Sequence, residues 1–490
     1  MGLTDWFCRK PRPHVRPGKQ PKVLRLSAND FLTLQDAYSG ILITGSTGSG
    51  KTTSSASHLA FGLARQPNIS FFVMCVKPDE GKRMEALFHQ AGVQQPIFRI
   101  TPGSPFGFDP IAFEMARSGS APASARMLSA IVDIQQRGKG QGQGGDMFWA
   151  EFANRILEMA IGATFLGEGR TSLRAVQRFI LGLPANLEEA GSAQWRDSYP
   201  ARVLREAEQR SLSPIEQSDH QAHLDFVFSE WVKTPDKTKF SCLPMIQNLL
   251  GRLTSGPIGA FTAQSNLSPR LLTERRCILI LDYPVLADPV GNKAIQIMTY
   301  MALVQECLRR PPDEESPAVV FWADEYSYLC VPDYDFRVQS VFRQAKCIAV
   351  RIVQDFQLLR KSLGGGDQGT MEADSIINNM ATWVCHANGD PTTNHAIADR
   401  IGKVPVRMRS GSVNLNGFNL FDYTFAGQKP SVQSGWSEVM EYLVRPESFV
   451  AYKKGGKANG FTSDALILTQ GNPFLSGQNF LHTQFPQVLL

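Results

Sequence analysis

The sequence predicts an α/β protein with a mainly parallel sheet and a mainly helical insertion. From Gly40 onward, short apolar runs alternate with longer helical or loop segments, which is typical of βα units around a sheet buried on both faces. Between about residues 111 and 255 the pattern is helical and comparable strands are missing. The chain has 490 residues, of which 43% are hydrophobic and 19% charged, and this composition excludes a disordered chain.

The expected strands are short apolar runs, at residues 41–44, 71–76, 97–100, 277–281, 318–323, 347–353 and 382–386. The long gap between the third and the fourth holds amphipathic patterns at residues 148–165 and 171–181, which predict helices. After about residue 404 the chain is rich in Gly, Ser and Asn. That composition predicts irregular strands or a hairpin.

The two ends of the chain differ from its centre. Residues 1–28 are expected to form a basic arm, since residues 1–25 hold seven Lys and Arg against one Asp. This arm alone contributes +6 to a net charge of 50 − 45 = +5, so the remainder sums to about −1. The arm suits contact with phosphates or anionic lipid, and a merely solubilising role is the alternative. Residues 476–490 are expected to be a C-terminal tail.

The cysteines and the hydropathy favour a cytoplasmic location. The eight cysteines form no CxxC pair, and several lie in apolar runs where a thiol acts as a small hydrophobe. No run of 18 or more apolar residues is present, so no segment is expected to span a bilayer alone.

A glycine-rich loop follows the first expected strand and precedes a helical pattern. It fits G-x-x-x-x-G-K-[ST], and with the next residue it comprises Gly45, Ser46, Thr47, Gly48, Ser49, Gly50, Lys51, Thr52 and Thr53. Such a loop turns its amides toward phosphates, with Lys51 reaching the β and γ phosphates and Thr52 binding Mg²⁺. ATP and Mg²⁺ are therefore the expected cofactors, and a chance Gly/Ser-rich loop is the alternative.

Two strands end in an acidic residue that could help to hold the metal. Residues 318–323 are followed by Asp324 and Glu325, which supply one carboxylate for Mg²⁺ and one to activate the attacking water. Residues 277–281 are followed by Asp282 alone, for which a strand-end cap or a supporting contact is the favoured role. The adjacent pair favours hydrolysis over nucleotide storage.

Two further residues are candidates for catalysis. Gln354 follows the strand at 347–353 at its carboxyl end, where ligands bind to open parallel sheets, and is expected to sense the γ phosphate. Arg343 precedes that strand and would supply a cation in trans to a neighbouring subunit. A surface salt bridge is an equally good interpretation of Arg343.

These motifs resemble those of TraG/TraD-type coupling ATPases of conjugation and type IV secretion, within the FtsK/HerA group of DNA-pumping motors. The resemblance spans about residues 38–475 and rests on the phosphate loop, FWADEY at 321–326, VFRQAKCIAVRIVQDFQLL at 341–359 and IINN at 376–379. It implies a RecA-like ATPase core with a helical insertion, assembled as a homo-hexamer around a channel through which DNA is moved.

Two departures from the family pattern stand out. Members usually carry transmembrane helices before the phosphate loop, whereas only 44 residues precede it here, so a soluble form with at most peripheral membrane contact through the arm is expected. The second strand ends in CVKPDE instead of the frequent DPKGE, so Lys77 could be a solvated loop charge.

The resulting domain hypothesis places a discontinuous nucleotide-binding domain at residues 29–110 and 256–475, with the helical insertion at 111–255. The leading function is a DNA translocase or coupling protein, with DNA as the expected partner and secretion or relaxosome proteins as further candidates. The alternative is an ATPase that delivers protein substrates without moving DNA. A kinase for a small molecule is disfavoured, because the Asp324–Glu325 pair suits water activation.

Overall fold

The computed structural model describes residues 21–137, 145–311, 316–414 and 431–489. Most of the predicted basic arm therefore lies outside the described residues. The strands in chain order are β1 (Lys22–Arg25), β2 (Phe31–Thr33), β3 (Ile41–Thr44), β4 (Ile69–Met74), β5 (Ile97–Ile100), β6 (Ile278–Leu281), β7 (Ala318–Ala323), β8 (Cys347–Val353), β9 (Thr382–Cys385), β10 (Lys403–Asn414), β11 (Ser431–Tyr442), β12 (Thr462–Thr469) and β13 (Phe480–Pro486).

The helices up to the end of the insertion are α1 (Leu34–Tyr38), α2 (Ser57–Ala64), α3 (Glu80–Ala91), α4 (Pro110–Ser118), α5 (Ala121–Arg137), α6 (Gly145–Glu168), α7 (Leu173–Leu181), α8 (Leu187–Gly191), α9 (Ala193–Arg196), α10 (Tyr199–Glu208), α11 (Pro214–Asp225) and α12 (Asp236–Thr254). The later ones are α13 (Gly256–Thr262), α14 (Leu271–Glu274), α15 (Gly291–Arg309), α16 (Asp335–Gln339), α17 (Phe356–Ser362), α18 (Gly366–Asn378) and α19 (Pro391–Ile401). Thr52–Ala56 forms a π-helical turn that leads into α2.

A nine-stranded sheet has the order β13-β12-β9-β3-β8-β7-β4-β6-β5. The seven strands from β9 to β5 run parallel, and β12 is antiparallel to both β9 and β13. The predicted α/β class and the mainly parallel sheet are thus confirmed. The seven expected strands are all members of this sheet, with bounds that differ from the prediction by at most two residues.

The sheet is buried on both faces, as the apolar runs predicted. Successive side chains of a strand point to opposite faces, so Ile41 and Ile43 lie in one core cluster while Leu42 lies in the other. The first face is covered by α2, α3 and the β1–β2 pair. The second is covered by α15 and is continuous with the apolar interior of the insertion.

The insertion is built of helices, which confirms its predicted character. In the described residues between Pro110 and Thr254, the regular elements are α4 to α12 and a π-helical turn at Phe226–Trp231. The predicted helices at 148–165 and 171–181 correspond to α6 and α7. Sequence patterns predicted α6 well because its apolar residues recur at helical spacing over six turns.

Both termini of the described chain belong to the core, which differs from the expected arm and tail. Val23 and Leu24 of β1 are buried against α2, so residues 22–28 are part of the globular fold. Phe485 of β13 is buried as well, and β13 forms the edge of the central sheet beside β12. The buried side chains are the adjacent Val23 and Leu24 in β1 and Phe480 and Phe485 in β13.

The region after residue 404 contains the predicted hairpin. β10 and β11 pair antiparallel over twelve residues each, from Lys403 opposite Tyr442 to Asn414 opposite Ser431, and form a sheet of their own. Val406 and Met440 on this ribbon are exposed. Across the described parts of the chain, no helix is both long enough and apolar enough to span a membrane.

Candidate nucleotide-binding site

The glycine-rich loop joins the carboxyl end of β3 to the π-helical turn before α2. Gly48 has φ 76° and Gly50 has φ 89°, a left-handed conformation that glycine adopts without the steric cost that other residues meet. At Gly45 a Cβ atom would lie 2.8 Å from the Cβ of His386, so a side chain would not fit. The backbone conformation at two positions and the lack of space at the third thus explain why the motif has glycine at all three.

The loop amides are available to a ligand. The N–H groups of Thr47, Gly48 and Gly50 have no hydrogen-bond partner among the described residues, and the buried hydroxyl of Ser49 also has none there. Unpaired donors at the start of a helix form an anion-binding concavity. The residues present therefore fit a phosphate group.

Lys51 is only 5% exposed and lies under this loop. Burial lowers the pKa of its ammonium group, while the nearby charges of Glu325 and Asp324 act in the opposite direction. A phosphate chain carries more negative charge than a single carboxylate. It is therefore a suitable ligand for this buried ammonium group, which lies near two carboxylates.

The expected metal ligands lie together. The Thr52 hydroxyl donates to Asp324 Oδ2 over 3.0 Å, although the two residues are 272 positions apart in the chain. Asp324 follows β7, and its position is set by the parallel register of the sheet. Oxygen donors of this kind are what Mg²⁺ prefers, so these two residues would hold the ion.

Glu325 and Gln354 are also in contact. Gln354 Nε2 donates to Glu325 Oε2 over 3.1 Å, and the Gln354 carbonyl accepts a hydrogen bond from the Gly45 amide at the loop entrance. Glu325 is 2% exposed and has a left-handed backbone with φ 58°. The predicted water-activating and γ-phosphate-sensing residues thus share one edge of the sheet.

Two cations at this edge were not recognised as site residues from the sequence. Lys77 Nζ lies 2.5 Å from Glu325 Oε1, and Arg83 lies 3.7 Å from Asp324 Oδ2. Burial alone would lower the pKa of Lys77, but the charges of Asp324 and Glu325 outweigh it and the pKa is raised. Lys77 is exposed, as expected of a loop charge, but it is also paired with Glu325. A lysine at the carboxyl end of a buried strand is the sequence signal that could have identified Lys77 as a site residue.

Glu80 fixes the turn that carries Lys77. Its Oε2 accepts the amides of Val76 and Lys77 at 2.8 and 3.1 Å. Burial, reinforced by the charge of Asp324, raises the pKa of the Glu80 carboxyl well above its usual range. Because these two bonds hold the backbone, only the side chain of Lys77 is free to reorient.

Two expected residues have other surroundings. Thr53 donates to the Gly50 carbonyl and accepts from Gln487 Nε2, so the C-terminal segment packs against the start of the helix. Asp282 pairs with Arg99 at 3.3 Å, which agrees with the supporting contact that was favoured for it.

Arg343 is not brought to the loop of its own chain. It lies in the turn before β8, where the Lys346 carbonyl accepts a hydrogen bond from the Val319 amide near the start of β7. This is the amino edge of the sheet, whereas the loop lies at the carboxyl edge. Since β8 has seven residues, the two edges are about 20 Å apart. The Arg343 side chain is exposed.

The sheet topology and the loop define the class of this protein, a P-loop protein with a doubly covered parallel sheet. Residues 318–449 match a family model described as the TraM recognition site of TraD and TraG. No curated protein sequence matches the chain.

Solved structures of a coupling protein have the same fold. The chain is similar to the plasmid coupling protein TrwB in complex with the non-hydrolysable ATP analogue ADPNP, with a TM-score of 0.61, 14% identity, and coverage of 96% of this chain and 92% of that chain. For TrwB in complex with ADP and Mg²⁺, the TM-score is 0.56 at 14% identity, covering 96% and 91%. For the unbound bacterial conjugative coupling protein TrwBdeltaN70 it is 0.58 at 14% identity, covering 97% and 90%.

At this level of identity the structural likeness shows the fold, so the predicted RecA-like core is confirmed. Together with the family match at residues 318–449, it confirms the resemblance to TraG/TraD-type coupling proteins that the motifs predicted.

Proposed function

We propose that this protein is an ATP-hydrolysing coupling protein that moves or recruits DNA during conjugative transfer or type IV secretion. The observation that carries the proposal is the joint placement of Lys51, Thr52, Asp324, Glu325 and Gln354 at one sheet edge. The solved TrwB structures with an ATP analogue, or with ADP and Mg²⁺, support the same cofactors here.

The residues have distinct roles in this proposal. The amides of the phosphate loop and Lys51 bind the phosphates, and Thr52 with Asp324 holds Mg²⁺, which neutralises charge on them. Glu325 orients and deprotonates water, and Gln354 senses the γ phosphate. The buried position of both carboxylates excludes bulk solvent and strengthens their electrostatic effect.

The assembly that we propose is a homo-hexamer around a channel, with the nucleotide-binding domain at residues 29–110 and 256–475 and the insertion at 111–255. Arg343 supports an oligomer, because it is exposed at the sheet edge opposite to the loop of its own chain. Basic residues of the N-terminal arm would contact DNA phosphates or a membrane surface.

Hydrolysis of ATP by the full chain, measured with and without DNA at low salt, tests this proposal. DNA is expected to raise the rate, and Lys51→Ala is expected to lower the stimulated rate by at least about a hundredfold, since a transition-state cation is lost. Lys82→Ala, an exposed lysine on α3, is the control. An unchanged rate with both single- and double-stranded DNA would contradict DNA translocation.

A second function is favoured by the match to the TraM recognition site of TraD and TraG, because that family is described by its recognition of a protein. In that case the chain is an ATPase that recruits protein substrates without moving DNA. Retention of a relaxase by the full chain in the absence of DNA, together with a DNA-independent rate, would favour this function over translocation.

A further inference from the structure

Both carboxylate oxygens of Glu325 are engaged by neighbouring side chains. Oε1 lies 2.5 Å from Lys77 Nζ, and Oε2 accepts from Gln354 Nε2 at 3.1 Å. The Glu325 side chain is only 3% exposed. A general base must offer an oxygen within hydrogen-bond reach of the water that it activates. Each oxygen keeps a second lone pair, but in so buried a position a water reaches it only when one of the two partners moves aside.

Lys77 is the partner that is able to move. Its side chain is 46% exposed, whereas its backbone amide is fixed by Glu80. Gln354, by contrast, is held through its carbonyl, which accepts from the Gly45 amide, the Thr44 hydroxyl and the Asn388 side chain. The backbones of both residues are thus held, but Lys77 is exposed and Gln354 only partly so, which gives the lysine side chain more room to reorient.

The backbone on both sides of the ion pair is strained. Glu325 has φ 58°, and Asp79, two residues after Lys77, has φ 62°. Left-handed backbone at non-glycine residues is energetically costly and is concentrated at functional and switching sites. Its presence on both segments that carry the ion pair agrees with a functional role of this contact.

The charges around Lys77 indicate where its ammonium would go. Lys77 helps to lower the pKa of Lys51, so the two ammonium groups lie within the same electrostatic field. A γ-phosphoryl group bound next to Lys51 offers oxygens of higher charge than one carboxylate, and lysine binds phosphate as a point charge. A diphosphate lacks this group and gives Lys77 no reason to leave Glu325.

We propose that Lys77 is a positioning residue that keeps Glu325 inactive until the γ-phosphoryl group of a bound triphosphate draws the ammonium away. The inference rests on the proposed ATPase function and adds a control to it. The catalytic carboxylate is freed only when the substrate is present, and it is engaged again after phosphate release.

A double-mutant cycle of nucleotide binding tests this inference. The Kd of a non-hydrolysable ATP analogue and that of ADP, each with Mg²⁺, are measured calorimetrically for the wild type, Glu325→Gln, Lys77→Met and the double variant. Glu325→Gln frees Lys77 and is expected to tighten binding of the analogue about tenfold, with ADP unchanged. In the Lys77→Met background the same substitution is expected to have no effect on either nucleotide.

Tightening that persists in the Lys77→Met background would overturn the inference, because it would then come from lost repulsion between Glu325 and the phosphate. Equal tightening for ADP would overturn it too. Lys77→Arg keeps the charge and should restore the tightening. Lys77→Gln, which also removes the charge, takes the place of Lys77→Met if that variant does not fold. Lys82→Met is the matched control, since Lys82 is exposed and, among the residues that the structure describes, forms an ion pair only with Asp79.

The two proposals fail in distinguishable ways. If the wild type binds neither nucleotide, the ATPase function itself is contradicted. If it binds and hydrolyses ATP but the cycle shows no coupling between Lys77 and Glu325, the function stands and only the role of Lys77 is overturned.

Discussion

His386 is fully buried beside the phosphate loop and links it to the C-terminal strands. Its Nδ1 lies 2.9 Å from the Asp464 carbonyl, and its Nε2 lies 2.7 Å from the Ser55 hydroxyl. Because a carbonyl only accepts, Nδ1 carries the proton and Nε2 accepts from Ser55. Burial, aided by the charge of Lys51, lowers the pKa of His386 to about 4.

This histidine predicts an acid-sensitive stability. A lowered folded-state pKa means that the unfolded chain binds the proton more tightly, so the stability is lost as the pH falls from about 6.5 toward 4. We expect His386 to contribute about 2 kcal/mol to the loss between pH 7 and pH 5. Urea denaturation at both pH values should show a correspondingly smaller loss for His386→Gln.

His223→Gln is a second test away from the site, because burial lowers the pKa of His223 to about 4 as well. It should also reduce the loss of stability between pH 7 and pH 5. An equal pH dependence in the wild type and in His386→Gln would contradict the assignment to His386.

At the residue scale, the sequence predicted the members of the site that form contiguous motifs. Lys51, Thr52, Asp324, Glu325 and Gln354 do lie together, although their catalytic roles stay predictions. It did not predict Arg83 or His386, whose partners at the site, Asp324 and Ser55, are hundreds of positions away in the chain. A single charged or imidazole side chain has no pattern from which its distant partner follows.

At the element scale, Asp109 joins two helices of the insertion. Its Oδ1 accepts the amides of Ile111 and Ala112 at the start of α4, and its Oδ2 accepts the amide of Leu173 at the start of α7. One carboxylate therefore caps two helices, where it satisfies buried amides and complements the helix dipoles. Burial raises the pKa of Asp109 to about 6, while the three amides oppose this shift.

Asp109→Asn is expected to lower the free energy of unfolding by about 2 kcal/mol. The amide of Asn can accept at one atom only, so either the α4 amides or the Leu173 amide would face an NH₂ group. Thermal and urea unfolding would measure the loss. Ser172→Ala removes only one cap of α7 and should cost about 1 kcal/mol. If Asp109→Asn costs no more than Ser172→Ala, the double cap is contradicted.

The elements themselves were predicted where periodicity is strong. β3, β5, β7 and β8 have the predicted bounds, because short, mainly apolar runs between polar segments have few alternatives. The edge strand β13 was expected to be a tail. Its pattern of burial is irregular, and only pairing with β12 gives the segment a place in the sheet.

At the scale of the whole molecule, the sheet separates Arg343 from the phosphate loop of the same chain. Strand β8 runs between the two edges, with Arg343 before it and Gln354 after it. An arginine on the amino edge can complete a nucleotide site only in a neighbouring subunit. This geometry supports the proposed oligomer and gives it a functional test.

Mixing two inactive variants should restore part of the ATPase activity. Arg343→Ala keeps an intact loop and Lys51→Ala keeps an intact arginine, so a mixed oligomer contains interfaces with both groups. We expect each variant alone to have at most a few per cent of the wild-type rate and their mixture to regain a measurable fraction of it. Arg337→Ala, an exposed arginine on α16, is the control and should stay active.

A mixture that stays inactive, although the two variants form joint oligomers by sedimentation, would contradict a role of Arg343 in trans. Full activity of Arg343→Ala alone would favour the alternative of an ordinary surface cation.

The sequence by itself determined the class of fold, the position of the phosphate loop and the strands that carry Asp324, Glu325 and Gln354. Periodicity and local motifs act over a few residues, and these features are local. Only the tertiary structure decided which side chains meet. The parallel register of β4, β7 and β8 brings Lys77 and Gln354 to the two oxygens of Glu325, because contacts across a sheet depend on strand order, which no local pattern specifies.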